Sequence, residues 1–87
     1  MKEVKKCSIS GVAFTLDADA YETLGQYLAS LKQTYGSSDE GREIVADIEA
    51  RIAELILSHQ DNTSVVEKPL IREIIAQMGS AEDLSLI

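Results

Sequence analysis

The sequence predicts an α+β domain, mostly helical, in which a β-hairpin and a short third strand pack on three helices in the order ββααβα. Three observations carry that expectation. Apolar and polar residues alternate on both sides of Ser10-Gly11. Two long stretches then repeat apolar residues at three- and four-residue steps, joined by a short Gly-Ser-Ser link. Last, a Ser64-Val65-Val66 run precedes Pro69 and a third apolar stripe. Strand alternation has a period of two and a helical stripe a period of 3.6, so the two patterns separate the elements.

The hairpin spans Lys5 to Leu16. A two-residue turn at Ser10-Gly11 would place Ile9 opposite Val12, Cys7 opposite Phe14 and Lys5 opposite Leu16. In that register Cys7, Ile9, Val12, Phe14 and Leu16 share one face, while Ser8, Ala13 and Thr15 share the other. A hairpin alone is marginal in water, so its apolar face must lie on the helices.

Asp17 or Asp19 caps the first helix, and Glu22 stands three residues after Asp19 at capping-box spacing. Tyr21, Leu24, Leu28, Leu31 and Tyr35 form its expected buried stripe. Gly36 is placed to end it in a left-handed cap. Gly25, costly inside a helix by about 1 kcal/mol relative to Ala, marks an expected close approach of another element. Ser37 or Ser38 caps the second helix, with acidic Asp39, Glu40 and Glu43 near its positive end. The short link makes the two helices antiparallel neighbours. The second helix reaches about Ser58, and a polar loop of His59 to Thr63 leads to the third strand. Pro69 suits the first turn of the third helix. Leu70, Ile71, Ile74, Ile75 and Met78 share one of its faces, Gly79 ends it, and Ser80 with Asp83 marks one more capped turn through Leu84.

The second helix carries an unusually wide apolar surface. At about 100° per residue, Ile44, Val45, Ile48, Ile52, Leu55 and Ile56 fill one broad sector, the expected core face. Ala46, Ala50, Ala53 and Leu57 fill a second sector, either covered by the third helix or a candidate interface for a second copy or for a helix elsewhere in the parent protein. Tyr27, to one side of the first helix's stripe, reads first as a core-edge tyrosine and second as part of that candidate interface. Asp47, Arg51 and Glu54 stand at four- and three-residue spacing as an expected structural ion cluster on the wet edge, where such a pair is worth about 0.3–0.5 kcal/mol.

Composition narrows the functions open to this chain. Eighty-seven residues make a single domain over residues 1–87 with one small core. With one Phe, three Tyr and no Trp, that core rests on Ile, Leu and Val. A net charge of −7 argues against sequence-independent nucleic-acid binding, which needs Lys and Arg on phosphates. It argues equally against docking on an anionic membrane. Lys2, Lys5 and Lys6 read as a solvated strand edge. Cys7 is the single cysteine, which excludes an internal disulfide and favours a reducing compartment. No stretch has the ~18 apolar residues of a spanning helix, and the basic start leads into no signal-peptide apolar region.

Chemistry finds little purchase. Asp17-Ala18-Asp19 has a cation-like spacing but lacks further oxygen ligands and a shaping glycine, so helix capping is the better reading. His59, a lone histidine at a helix C-terminus, gains from the dipole when protonated and has no second ligand for zinc. Cys7 on the inner face of the hairpin is inert, because burial disfavours its thiolate. No glycine-rich phosphate loop is present. The residues therefore point to a non-enzymatic protein-interaction domain without cofactor or metal.

Four segments resemble a known family. They are Gly11-Val12-Ala13-Phe14-Thr15-Leu16-Asp17, Asp19-Ala20-Tyr21 with Leu24 and Tyr27-Leu28, Asp47 to Leu55, and Ile74 to Leu84. Together these resemble the N-terminal soluble domain of phage-shock-protein-C-type (PspC) membrane proteins of Bacteroidetes, with Ala81 and Leu84 standing where that family often has Pro and an aromatic. The resemblance implies a regulatory, envelope-stress role on the cytoplasmic face of the inner membrane. It further implies a parent chain that continues past Ile87 into transmembrane spans. It carries no catalytic residue over. A looser likeness is to helical cytosolic domains found beside PadR-like transcription regulators. That likeness implies a domain that binds such a regulator; a small stand-alone homodimer is the remaining alternative.

Overall fold

A computed structural model describes residues 3–78. Its elements follow in the expected order: β1 (Val4–Ile9), β2 (Val12–Asp17), α1 (Ala18–Tyr35), α2 (Asp39–His59), β3 (Val65–Val66) and α3 (Lys68–Met78). The domain is α+β, with a three-stranded mixed sheet and three helices. The expected turn after Gly79, capped by Ser80 and Asp83, lies outside the described residues, as does Lys2.

The hairpin takes the expected register, with Ile9 opposite Val12, Cys7 opposite Phe14 and Lys5 opposite Leu16. Ser10 and Gly11 both have positive φ, 53° and 83°. Those are the angles of a type I′ turn, whose twist matches that of the flanking strands. β3 joins β2 in parallel, Thr15 beside Val65 and Leu16 beside Val66, giving the order β1-β2-β3. A parallel neighbour needs a crossover, and α1 with α2 supplies it. Gln60 at the end of α2 ties the crossover down, its Nε2 donating to the carbonyls of Ser64 at 3.1 Å and Val65 at 3.2 Å. Asn62 Nδ2 donates to the carbonyl of Ala13 at 3.3 Å, joining the same loop to β2.

β2 passes into α1 with no loop between them. Asp17 is the cap: it is only 4% exposed, and its Oδ1 accepts from the Ala20 N–H at 2.7 Å. A cap of this kind is worth about 1 kcal/mol. The Ala18 N–H donates to the Glu3 carbonyl at 2.9 Å, so the strand edge also helps satisfy the helix start. Ser38 caps α2, accepting from the Gly41 N–H at 3.0 Å. Gly36 ends α1 at φ −72°, right-handed rather than in the expected left-handed cap. Its N–H continues the helical bonding to the Lys32 carbonyl at 2.7 Å, so the chain enters α2 without reversing hand. Gly41 is required by space, since a Cβ there would collide with the Tyr35 carbonyl.

The core lies between the inner sheet face and the three helices. Phe14, Leu16, Leu24, Leu31, Ile52, Ile56, Val66, Ile71 and Ile74 are fully or almost fully buried. Both long helices meet this core on faces turned from those expected. On α1 the buried residues are Ala20, Leu24, Tyr27 and Leu31, while Tyr21 is 41% exposed and Leu28 half-buried. On α2, Gly41, Val45, Ile48, Ile52, Ala53 and Ile56 are buried and Ile44 is 42% exposed. Each rotation is about 40°, and on each helix it brings an alanine into the core. α1 begins directly at the end of a strand, so its first turn lies against the sheet, where Ala20 fits and Tyr21 does not. On α2, Ala53 is buried while Ile44 lies on the shoulder. On α3 the expected face holds, with Ile71 and Ile74 buried and Leu70, Ile75 and Met78 packed at its margin.

Candidate protein-interaction surface

The residues of the predicted interface do not form one exposed face. Ala46 is exposed, Ala50 half-buried, Ala53 only 4% exposed, and Leu57 44% exposed. Tyr27 is 8% exposed, a core residue and not a surface one. The rotation of α2 explains the split: it carries Ala53 into the core and leaves Ala46, Ala50 and Leu57 as an outer shoulder. Ile44, with half-buried Leu55, forms a second shoulder on the opposite side. The expected ion cluster is not closed. Asp47, Arg51 and Glu54 are all exposed, and among the described residues no ion pair joins them. Long exposed side chains gain too little from pairing in water to be held in one geometry.

Among the described residues Arg42 pairs instead with Asp39, both exposed. Arg42 also donates through Nη1 to the Gly36 carbonyl at 3.4 Å, bracing the link between α1 and α2. Beside this brace lies a cleft of about 450 Å³ lined by Lys32, Gly36, Arg42, Val45, Ala46 and Glu49. A second cleft of about 260 Å³ begins at Lys32 and runs along α1 past Ala29, Leu28 and Gly25 to Tyr21, with Cys7 of β1 on its wall. Lys32 lines both, so the two clefts adjoin at that residue as a groove along α1, its facing wall supplied by α2 near Gly36 and by β1 near Tyr21.

The α1 wall of this groove is largely uncharged. From Thr23 to Thr34, twelve residues of α1, Lys32 is the sole charge. At the far end Lys5 Nζ sits over the Tyr21 ring, 5.6 Å from its centroid, a cation–π contact. Tyr21, kept from the core by the approach of α1 to the sheet, thus has one face of its ring under a β1 side chain. Gly25 opens onto the groove, and a Cβ there would meet nothing within 4 Å. The close approach expected at this glycine is therefore not made within the domain. Composition held a signal for this surface, an uncharged run in a chain whose residues are 26% charged, but apolar periodicity does not register it.

Two titratable groups of the domain are shifted toward their neutral forms. Burial, with the Glu49 carboxylate second, pushes the Cys7 thiol up, which disfavours the thiolate a nucleophile requires. Burial, with Tyr35 second, likewise raises the Tyr27 phenol. His59 is exposed in the last turn of α2. Asp17 is committed to its cap, and among the described residues no group of three His, Cys, Asp or Glu could hold a metal ion. No described helix is long and apolar enough to cross a membrane.

Comparison with known proteins returned no significant match to a curated protein or to a solved structure. It gave no support for the resemblance to PspC-type proteins, nor for the phage-shock or Bacteroidetes associations that came with it. The likeness to domains found beside PadR-like regulators fared differently. HAAS domains are small protein-interaction domains associated with PadR-like regulators, and the HAAS family model matches residues 26–85. The matched stretch begins inside α1 and takes in α2, β3 and α3, leaving the hairpin outside it. Matched over most of its length, from the uncharged face of α1 onward, the chain belongs to the HAAS family.

Proposed function

We propose that this chain is a non-enzymatic, cytoplasmic protein-interaction domain whose partner is a PadR-like transcription regulator. The observation that carries the reading is the family match over residues 26–85, since HAAS domains are associated with such regulators. The surface chemistry supports it. Interface centres are depleted in charge, and α1 keeps such a face exposed on an otherwise strongly acidic chain. The single thiol is held protonated by its surroundings, which fits a structural role better than covalent catalysis. The net charge of −7 favours a protein partner over nucleic acid, because phosphate binding depends on Lys and Arg.

The test is direct binding. The domain is titrated into the purified PadR-like regulator of the same genome and followed calorimetrically. Saturable association with one domain per regulator chain is the expected result. Absence of heat and of co-elution at a domain concentration of about 100 μM, corresponding to an affinity weaker than about −5 kcal/mol, would contradict the reading.

A further inference from the structure

The groove along α1 has a length, a floor and a charge, and together these describe its occupant. It runs from Tyr21 to Gly36, a helical distance of about 22 Å at 1.5 Å per residue. That matches a helix of about four turns. Its floor is made of small or half-buried residues, Gly25, Leu28, Ala29 and Ala46, which let a second helix axis come close. Gly25 in particular has open space where a side chain would stand. The charges along the groove are chiefly cationic although the chain as a whole is acidic. Lys32 sits where the two clefts meet, and Lys5 covers the Tyr21 end. Arg42 at the other end is occupied by Asp39 and the Gly36 carbonyl. Half-buried Glu49 is the one acid on the wall, on the α2 side. Lys32 has no ion-pair partner among the described residues.

We infer that this groove receives an amphipathic helix of the partner protein, its apolar face on Leu28, Ala29 and Ala46 and an acidic residue of its flank on Lys32. The inference rests on the reading that the partner is a PadR-like regulator, and it specifies where and by what chemistry that regulator is held. A second copy of the domain is a poorer occupant. Its α2 already exposes Asp39, Glu40, Glu43, Asp47 and Glu54, and two chains of charge −7 repel one another. Helix-in-groove binding instead depends on a few apolar anchors at helical spacing, and the charge at the rim selects the partner.

Calorimetric titration of the regulator with wild-type domain and four variants tests the inference, each variant being checked for an unchanged thermal melt. Ala29→Glu places a carboxylate on the groove floor and is expected to weaken binding by about thirtyfold or more. Ala46→Glu is the second floor variant, used if Ala29→Glu alters the melt. Lys32→Glu is expected to weaken binding about tenfold and Lys32→Arg to restore it. Leu57→Glu, on the outer shoulder of α2, is expected to bind as wild type. If the wild type binds while the floor variants and Lys32→Glu stay within about twofold of it, the groove assignment is overturned and the regulator reading survives. Tighter binding by Lys32→Glu overturns the acidic flank. A wild-type domain that sediments as a dimer, dissociated by Ala29→Glu, overturns the choice of occupant. A wild-type domain that does not bind the regulator brings down the regulator reading and this inference with it.

Discussion

The two long helices are neighbours of similar length, yet they show solvent opposite kinds of surface. α2 carries eight charged residues among its 21, and its wide apolar sector is largely consumed by the core. α1 carries a single charge between Thr23 and Thr34, and leaves Gly25, Ala29 and half of Leu28 uncovered. The difference teaches that apolar breadth is a poor guide to an interface in a small domain. A helix with two apolar faces is more simply a helix with several internal neighbours, and α2 touches α1, β1 and α3. Missing charge on an exposed face is the more specific sign, because a solvated face ordinarily carries charge for solubility.

The sharpest way to break this contrast is to truncate the centre of the α2 face. Ile52 is fully buried, so Ile52→Ala is expected to cost about 2–5 kcal/mol in denaturant unfolding. Ala29→Glu on the outer face of α1 is expected to stay within about 0.5 kcal/mol of wild type. Comparable losses from the two would mean that α1's outer face is structural after all.

The glycines of the two helices divide in the same way. Gly41→Ala drives a Cβ into the Tyr35 carbonyl and is expected to cost about 1–3 kcal/mol, the range for forced overpacking. Gly25→Ala meets open space and should stabilise by about 0.5–1 kcal/mol, because Gly within a helix is disfavoured relative to Ala. A loss of stability from Gly25→Ala would reveal a contact on the groove side that the fold does not provide.

The smallest effect is alkaline. The Cys7 thiol and the Tyr27 phenol are both raised in the folded chain. The native state therefore keeps protons that the unfolded chain gives up, and this contribution is complete below the ordinary thiol range. It declines as pH rises past about 8.5 and again near 10. Thermal melts between neutral and strongly alkaline pH should fall in that window. Cys7→Ser should remove the earlier part of the decline, and Glu49→Gln should shift it, since the α2 carboxylate is the second cause of the thiol's shift. A flat profile would place neither group where the fold puts it.

Much of this architecture was legible in the residues, for identifiable reasons. The hairpin register follows from a period of two and a turn of two, and a slip by one would have turned Phe14 and Leu16 to solvent. Capping chemistry located both helix starts to within one or two residues, and the structure selects Asp17 and Ser38. The azimuth of the helices was not legible, because counting large apolar residues ignores how closely small ones let elements approach. Ala20 is buried where Tyr21 was expected, Ala53 is buried while Ile44 is exposed, and Tyr27 lies in the core and not at an interface. The ion cluster of Asp47, Arg51 and Glu54 followed from spacing alone, which does not weigh solvation against pairing. The family likeness was divided between two groups, and the match over residues 26–85 decides for the HAAS side.

The central claim is that the partner is held in the groove along α1 and not on the Ala50 and Leu57 shoulder of α2. Amide chemical-shift mapping of the isotopically labelled domain against the regulator tests it most directly. The account predicts that the largest changes cluster on Gly25, Leu28, Ala29 and Lys32, with Ala46 across the groove. Changes centred on Ala50 and Leu57, or on Val65 of the sheet, with the α1 amides unmoved, would contradict it.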